Sequence, residues 1–394
     1  MLRVTRQRHV VWTLIPFTIA NFLGFLAVGI PLPVLSIYVH DVLGLSAFVV
    51  GCVISLQSVA TLATRQYAGR LCDTIGPKRA SRYGFISAAA AGALYFASSA
   101  LSAHALASVT ALIVARLLLG LGESLFITSI STWSIVRVGP SNAGRAMAWS
   151  GIAMYGALAA GAPLGFAVYR YAGFNAVALC AFITPLLGAL LSARWADVER
   201  VTAKTKTAFL PILRSIWGPG IGMALASVGV GTLNAFLTLR YHAQGWPDAG
   251  IALTVFGLAY LAMRLLFGGL PDRLGGMKVG ALSLLVEAIG LFVIWQADSQ
   301  GMALVGTMLT GIGYSLVFPS LGVEAMKRVS SDHRGLVIST YLACFDLGLA
   351  VAGPVAGVVV RVFDLPAAFL VAGVSALVSL TLLSVDHWAR QRSA

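Results

Sequence analysis

Four charged residues of this chain lie deep inside long apolar runs: Arg116, Glu123, Glu287 and Asp346. Arg65 and Arg264 stand near the ends of two further runs. Arg116, Gly120 and Glu123 are spaced i, i+4, i+7, so a helix places them on one face, with a glycine gap between the charges. A carboxyl removed from water takes up and releases a proton nearer neutral pH, which makes Glu123 and Asp346 candidate proton carriers. Arg116 favours the charged form of a nearby acid and opposes that shift. A second reading stays open, in which the acids form structural ion pairs with Arg116 or bond to backbone. No other chemistry has its residues. The six histidines (His9, His40, His104, His242, His333, His387) have no metal-ligand spacing, and Cys52, Cys72, Cys180 and Cys344 form no C-x-x-C pair. No nucleophile–base pair stands within an apolar run, and no phosphate-binding G-x-x-x-x-G-K-S/T is present. No metal, cofactor or ATP is therefore expected, and a catalytic role is not.

Composition says what must hold these residues. Of 394 residues 58% are hydrophobic and 10% charged, with a mean hydropathy of +0.88. A soluble domain carries about 25% charged residues. A soluble enzyme, a disordered chain and a secreted disulfide scaffold are excluded, and a polytopic membrane protein remains. The 42 glycines fit, because glycine lets transmembrane helices approach closely. The net charge of +13 lies in short clusters between apolar runs, which is an orientation signal and not a nucleic-acid face.

Twelve runs are long enough to cross hydrocarbon as helices: 11–38, 46–68, 81–102, 106–136, 144–169, 174–195, 213–240, 249–268, 279–297, 302–323, 335–360 and 367–388. The alternating segments of a transmembrane barrel are absent. With the termini and every even-to-odd connection in the cytoplasm, 21 Lys and Arg residues fall on that side. Only Arg170, Arg240 and Arg361 fall opposite, so both termini are expected to face the cytoplasm. The first run is read as a retained helix and not as a signal peptide.

The chain repeats itself. RQYAGRLCDTIG at 65–76 returns as RLLFGGLPDRLG at 264–275. A second block repeats at an offset of 191, pairing Gly120 with Gly311, Gly122 with Gly313, Arg137 with Arg328, Pro163 with Pro354 and Arg170 with Arg361. The expected domains are a six-helix bundle over 1–197, a cytoplasmic linker over 198–211 and a second six-helix bundle over 212–394. An even number of spans per half gives both the same orientation, related by a pseudo-two-fold axis along the membrane normal. The repeat also exposes an asymmetry. Asp346 falls on Tyr155, and Glu123 falls on Tyr314, so each acid is answered by a tyrosine in the other half. A shared scaffold explains repeated Gly and Pro but not acids in one copy.

GRLCDTIGPKR at 69–79 resembles the loop motif G-x-x-x-D-x-x-G-x-R/K-R/K of the major facilitator superfamily, through Gly69, Asp73, Gly76, Lys78 and Arg79. The second copy keeps Gly268, Asp272, Arg273 and Gly275. Arg116, Gly120 and Gly122 look like the fourth-helix motif of proton-coupled members. GALAAGAPLG at 156–165, with Gly161, Pro163 and Gly165, is similar to the glycine–proline motif of drug:proton exchangers, although Ala162 replaces a glycine. AVAGPVAG in the eleventh span restores the pair as Gly353–Pro354. LSAFVVGCVISLQSVATL and GYSLVFPSLGVEAMK look like the YhhS/YfcJ group of bacterial transporters.

That resemblance implies an all-α major facilitator fold of twelve transmembrane helices. It also implies a multi-pass protein of the bacterial inner membrane that moves a small molecule by alternating access. The motifs favour proton-coupled efflux by a monomer in contact with lipid; a uniporter or importer is the alternative, and a membrane-embedded enzyme, scramblase or channel is disfavoured. Spans one, four, seven and ten line the family's cavity, so Asn21, Asn234, Glu123 and Tyr314 become cavity candidates, with Tyr155 added by the repeat. An asparagine can equally bond a neighbouring helix, and Tyr314 and Phe318 can equally be packing. Glu287 falls on an outer span and reads as a snorkelling or protonated acid. The two motif loops are expected to gate through Asp73 and Asp272, with Gly69, Gly76, Gly268 and Gly275 supplying tight turns and close packing. A topology reporter fused after residue 394 is expected to score cytoplasmic, and one inserted at Ala103 periplasmic; the reverse result would overturn the orientation.

Overall fold

The computed structural model describes residues 2–139, 142–198, 209–247, 249–329 and 334–393. Most of the expected linker lies outside these. Fourteen α-helices are described: α1 Leu2–Gly29, α2 Leu32–Ile37, α3 Ala47–Ile75, α4 Pro77–Ala100, α5 Ala105–Val138, α6 Ala143–Ala193 and α7 Phe209–Ser215. They continue as α8 Trp217–Ala243, α9 Ala249–Phe267, α10 Leu270–Leu274, α11 Gly276–Gln296, α12 Gln300–Met326, α13 Arg334–Val362 and α14 Ala367–Ser393. A π-helical turn, Tyr38–Val42, follows α2.

Among the described residues, ten stretches are long and apolar enough to cross a membrane. One of them, Arg145–Ala193, contains two of the expected spans. Gly173, at φ 74 and ψ −176, breaks α6 there, a conformation that costs glycine little and other residues much. The remaining span, α4, is less apolar, because its first turns carry Lys78, Arg79 and Arg82 and its body is built of Ala, Ser and Gly. With α4 counted and α6 divided, the twelve helices read from the sequence are all present. α1 and α2 together make the first, interrupted where Pro31 and Pro33 supply no N–H.

The helices form two compact units. The first holds residues 1–34 and 59–204, and the second 35–58 and 205–394. Residues 35–58 precede the sequence midpoint yet pack with the second unit, so the continuous helix α3 contributes to both.

In the first unit α4 lies against α5 at backbone distance. A Cβ on Gly84 would stand 2.6 Å from the Phe126 nitrogen and 2.8 Å from the Gly122 oxygen. Phe85 and Phe126 stack beside this contact, 5.3 Å apart and 4° from parallel. Phe17, Trp133 and Trp195 form a ring cluster at centroid distances of 4.6 to 5.6 Å. At the far end of α1, Gly161 and Gly165 of α6 admit the backbone of Gly29 and Ile30.

In the second unit, α11 and α12 touch at Gly290 and Gly306, where a Cβ on either would lie 2.7 Å from the other's carbonyl oxygen. The start of α3 lies on α13 through Gly51 and Gly353, each of which excludes a side chain on the other. There Ser55 stands across the helical turn just before Pro354. The Gly353 N–H donates to Ser55 Oγ at 3.1 Å, and the Ser55 hydroxyl donates to the Leu349 oxygen at 3.0 Å. Replacing Gly84 by Val would push α4 from α5 and is expected to lower stability by about 2 kcal/mol; thermal unfolding of the purified protein in detergent measures it, and an unchanged midpoint would show that the contact relaxes freely.

Candidate functional site

α5 carries the charged pair. Arg116 is 2% exposed and Glu123 is half-buried, two turns further along the same face. Thr61, on the part of α3 belonging to the same unit, lies beside Gly120 and the acid. Its hydroxyl lies 3.2 Å from the Gly120 oxygen and 3.4 Å from Glu123 Oε2. Gly122 serves packing: a Cβ there would stand 2.7 Å from the Gly84 oxygen. The spacing therefore holds in three dimensions, with Gly120 offering its carbonyl beside the acid and Gly122 pressed against α4.

Two further candidates of this unit are buried. Asn21 of α1 is 1% exposed and donates from Nδ2 to Ser150 Oγ of α6 at 2.8 Å. Its Oδ1 has no hydrogen-bond partner among the described residues, which leaves a buried acceptor on offer. Tyr155 of α6 is also buried. Gly161, Pro163 and Gly165 lie on α6 beyond these, where the glycines seat the end of α1.

In the second unit Tyr314 of α12 is fully buried. Its hydroxyl is 3.3 Å from Ser227 Oγ of α8, and its ring is 6.2 Å from that of Tyr260 on α9. Arg264 donates to the Ser315 oxygen at 3.0 Å, and Ser315 Oγ to the Tyr260 oxygen at 2.8 Å, so α9 and α12 are stitched along one seam. Asp346 of α13 is 3% exposed, and Asn234 of α8 is partly buried. Tyr341, one helical turn and a half before Asp346, donates to the Phe318 oxygen at 2.9 Å. Gly353 and Pro354 lie further along α13, at the contact with α3.

The motif loops show their repeat in backbone conformation. Gly76 (φ 88, ψ 155) starts α4, and Gly275 (φ 91, ψ 137) starts α11. Only these two glycines of the four make left-handed turns. Gly69 is inside α3, and Gly268 follows the last residue of α9, its N–H bonded to the Arg264 oxygen at 3.0 Å. Of the tight turns and close packing expected of the four, the turns fall to Gly76 and Gly275. Asp73, Arg79, Asp272 and Arg273 are exposed. Lys78 donates to the Trp195 oxygen and Arg82 to the Ala193 oxygen, with Arg137 reaching the Ala196 oxygen at 2.7 Å. Three cations thereby meet the carbonyl end of α6, where the helix dipole is negative. Among the described residues no group of three or more His, Cys, Asp or Glu is placed to hold a metal ion.

Sequence reasoning missed the best-defined ion pair. Asp386 of α14 is 4% exposed and accepts from Arg328 and, at 3.3 Å, from Arg390. Gly218 of α8 leaves the space it occupies, since a Cβ there would stand 2.7 Å from Oδ2. Burial pulls the Arg328 guanidinium below its ordinary value, and the Asp386 carboxylate opposes that shift. The i, i+4 spacing of Asp386 and Arg390 was the available signal. Glu287 is not a snorkelling acid: it is 0% exposed.

The family model described as Major Facilitator Superfamily matches residues 17–249 and 220–391. An uncharacterised MFS-type transporter of Burkholderia pseudomallei is 40% identical over 372 residues, covering 94% of this chain and 91% of the relative. The uncharacterised MFS-type transporter YhhS of Escherichia coli is 40% identical over 367 residues, covering 92% and 89%. Among solved structures, a point mutant of the nucleoside transporter NupG superposes with a TM-score of 0.78 at 16% identity, over 95% of this chain and 99% of that one. The human organic anion transporter MFSD10 gives a TM-score of 0.70 at 16% identity, over 94% and 98%.

Replacing Asp386 by Asn leaves Arg328 half-buried beside a neutral amide. The expected cost is about 3 kcal/mol, read as a lower thermal midpoint; a change under about 0.5 kcal/mol would mean the pair is solvated like a surface bridge.

Proposed function

The chain belongs to the major facilitator superfamily, and on that premise we propose that it exports a small molecule in exchange for protons by alternating access. It is a membrane transporter; the coupling, the direction and the placement are our reading. The protein works as a monomer in the bacterial inner membrane, with both termini cytoplasmic and the proton gradient as its energy source. The observation that carries the coupling is the α5 pair. A carboxylate half-buried two turns from a buried arginine, with a threonine hydroxyl beside it, is costly to place within a span and is functional by default. Protonation of Glu123 would weaken its attraction to Arg116 and leave that cation to a substrate anion or to backbone; loss of the proton would restore it. Asp346 and Tyr314, with Asn21, Asn234 and Tyr155, supply the polar groups that would line the path. Their types, hydroxyl, amide and acid, suit a polar or amphipathic molecule.

The resemblance of the fourth and fifth spans to motifs of proton-coupled exporters supports export. The departure at Ala162 is the observation that favours the second reading, a uniporter or importer on the same fold. The structural neighbours' names speak of nucleosides and organic anions, so both classes belong in a substrate panel. Protein reconstituted in liposomes with an internal pH dye, given a pH gradient and that panel, is expected to move protons when its substrate is added. Glu123→Gln or Asp346→Asn is expected to cut this flux about a hundredfold. Labelled substrate that equilibrates with no proton movement in the parent protein would replace coupling by uniport.

A further inference from the structure

Glu287 lies near the middle of the 21-residue helix α11, and the α5 mechanism makes no use of it. It is fully buried, and neither carboxyl oxygen has a hydrogen-bond partner among the described residues. Two glycines shape its place. A Cβ on Gly229 of α8 would stand 2.7 Å from Glu287 Oε1 and 3.0 Å from Leu291 Cδ1. On the other side Gly313 of α12 presses on the α11 backbone, where a Cβ would stand 2.7 Å from the Ser283 oxygen and 2.8 Å from the Glu287 Cα. The carboxyl is thus lodged in a notch that exists because residue 229 has no side chain.

Among the described residues, the elements around α11 bring no counter-ion to this notch. α8 carries Arg240, Tyr241 and His242, α10 carries Asp272 and Arg273, and α14 carries Asp386, His387, Arg390 and Arg392; all lie toward helix ends. On α12, Glu324 is in the last turn and Tyr314 is directed to Ser227 and Tyr260. On α11 itself Lys278 is exposed, in the first turn. An ionised carboxylate sealed without cation or donor is far more costly than an apolar residue of the same shape. The neutral acid avoids that cost.

We infer that Glu287 is a proton-binding site of the second unit and carries a proton that the transport cycle exchanges. The chemistry is one O–H bond made or broken on the carboxyl, with the proton taken from or given to water and no change of oxidation state. Exchange requires water to reach the carboxyl, and the α8 backbone at Gly229 is the wall on the Oε1 side. Movement of α8 away from α11 therefore opens the site, and closure demands that the acid be neutral. The use of this proton in transport rests on the proton-coupled reading above; its binding does not.

The test combines infrared spectroscopy of the purified protein at mildly alkaline pH with proton flux in dye-loaded liposomes. The parent protein is expected to show the C=O stretch of a protonated carboxylic acid that is missing in Glu287→Gln. Glu287→Gln is also expected to lose about a hundredfold in substrate-triggered proton flux. Glu287→Met, an apolar residue of similar length, is the folding control, and its thermal midpoint should equal or exceed that of the parent. A carboxylic band that persists in Glu287→Gln overturns the site. A band lost with proton flux unchanged overturns its role in coupling. A parent protein that shows the band but moves no protons overturns the coupled reading of the family activity and leaves the proton site standing.

Discussion

A lipid tail is as apolar as a leucine, so burying leucine between transmembrane helices gains little against the bilayer. Cohesion has to come from van der Waals contact at close range, and that range is open only where side chains are absent. The paired glycines carry this constraint throughout the chain. Gly84 with Gly122, Gly290 with Gly306, and Gly165 with Ile30 bring backbones together where one methyl group would already clash. The polar groups of the candidate site are positioned by these contacts. Thr61 reaches Glu123 because α5 is held by its glycines, and Tyr314 meets Ser227 because Gly313 and Gly311 seat α12 against α11 and α9.

The same contacts decide which charges are tolerated. Water cannot follow a side chain into a glycine notch, so each buried charge needs its own compensation. Asp386 has it in Arg328 and Arg390, at the end of α14. The part-buried Lys78 and Arg82 have it in the Trp195 and Ala193 carbonyls at and just past the end of α6. Arg116 and Glu123 share a helix face. Glu287 has no such partner among the described residues, which separates it physically from Asp386, another deeply buried acid of the second unit.

The fold was legible because its signals are additive over many residues. Length of apolar runs and a repeat at half-chain spacing each draw on dozens of positions, and the less apolar span, α4, was still bounded by Gly76 and by its cationic first turns. The break at Gly173 fell between the spans 144–169 and 174–195 that the sequence implied. Individual roles were less legible. The motif spacing alone does not distinguish Gly76, which turns the chain, from Gly69, which lies inside a helix; Pro77 after Gly76 is the local sign of a helix start. Nor does spacing along α11 reveal that Glu287 meets Gly229, a residue far away along the chain. Asp386 was overlooked because an acid at a span end reads as solvated until a neighbouring loop brings Arg328 to it.

The serine that stands across the α13 turn has a consequence for what can be seen in solution. In an uninterrupted helix an amide proton is guarded by its own chain, and its exchange with solvent reports the fraying of that helix alone. The Gly353 amide donates to a hydroxyl from α3, outside its own helix. Its isotope exchange therefore keeps time for the lodging of one helix on another, and a single peptide containing Gly353 becomes a clock for that docking with no label attached.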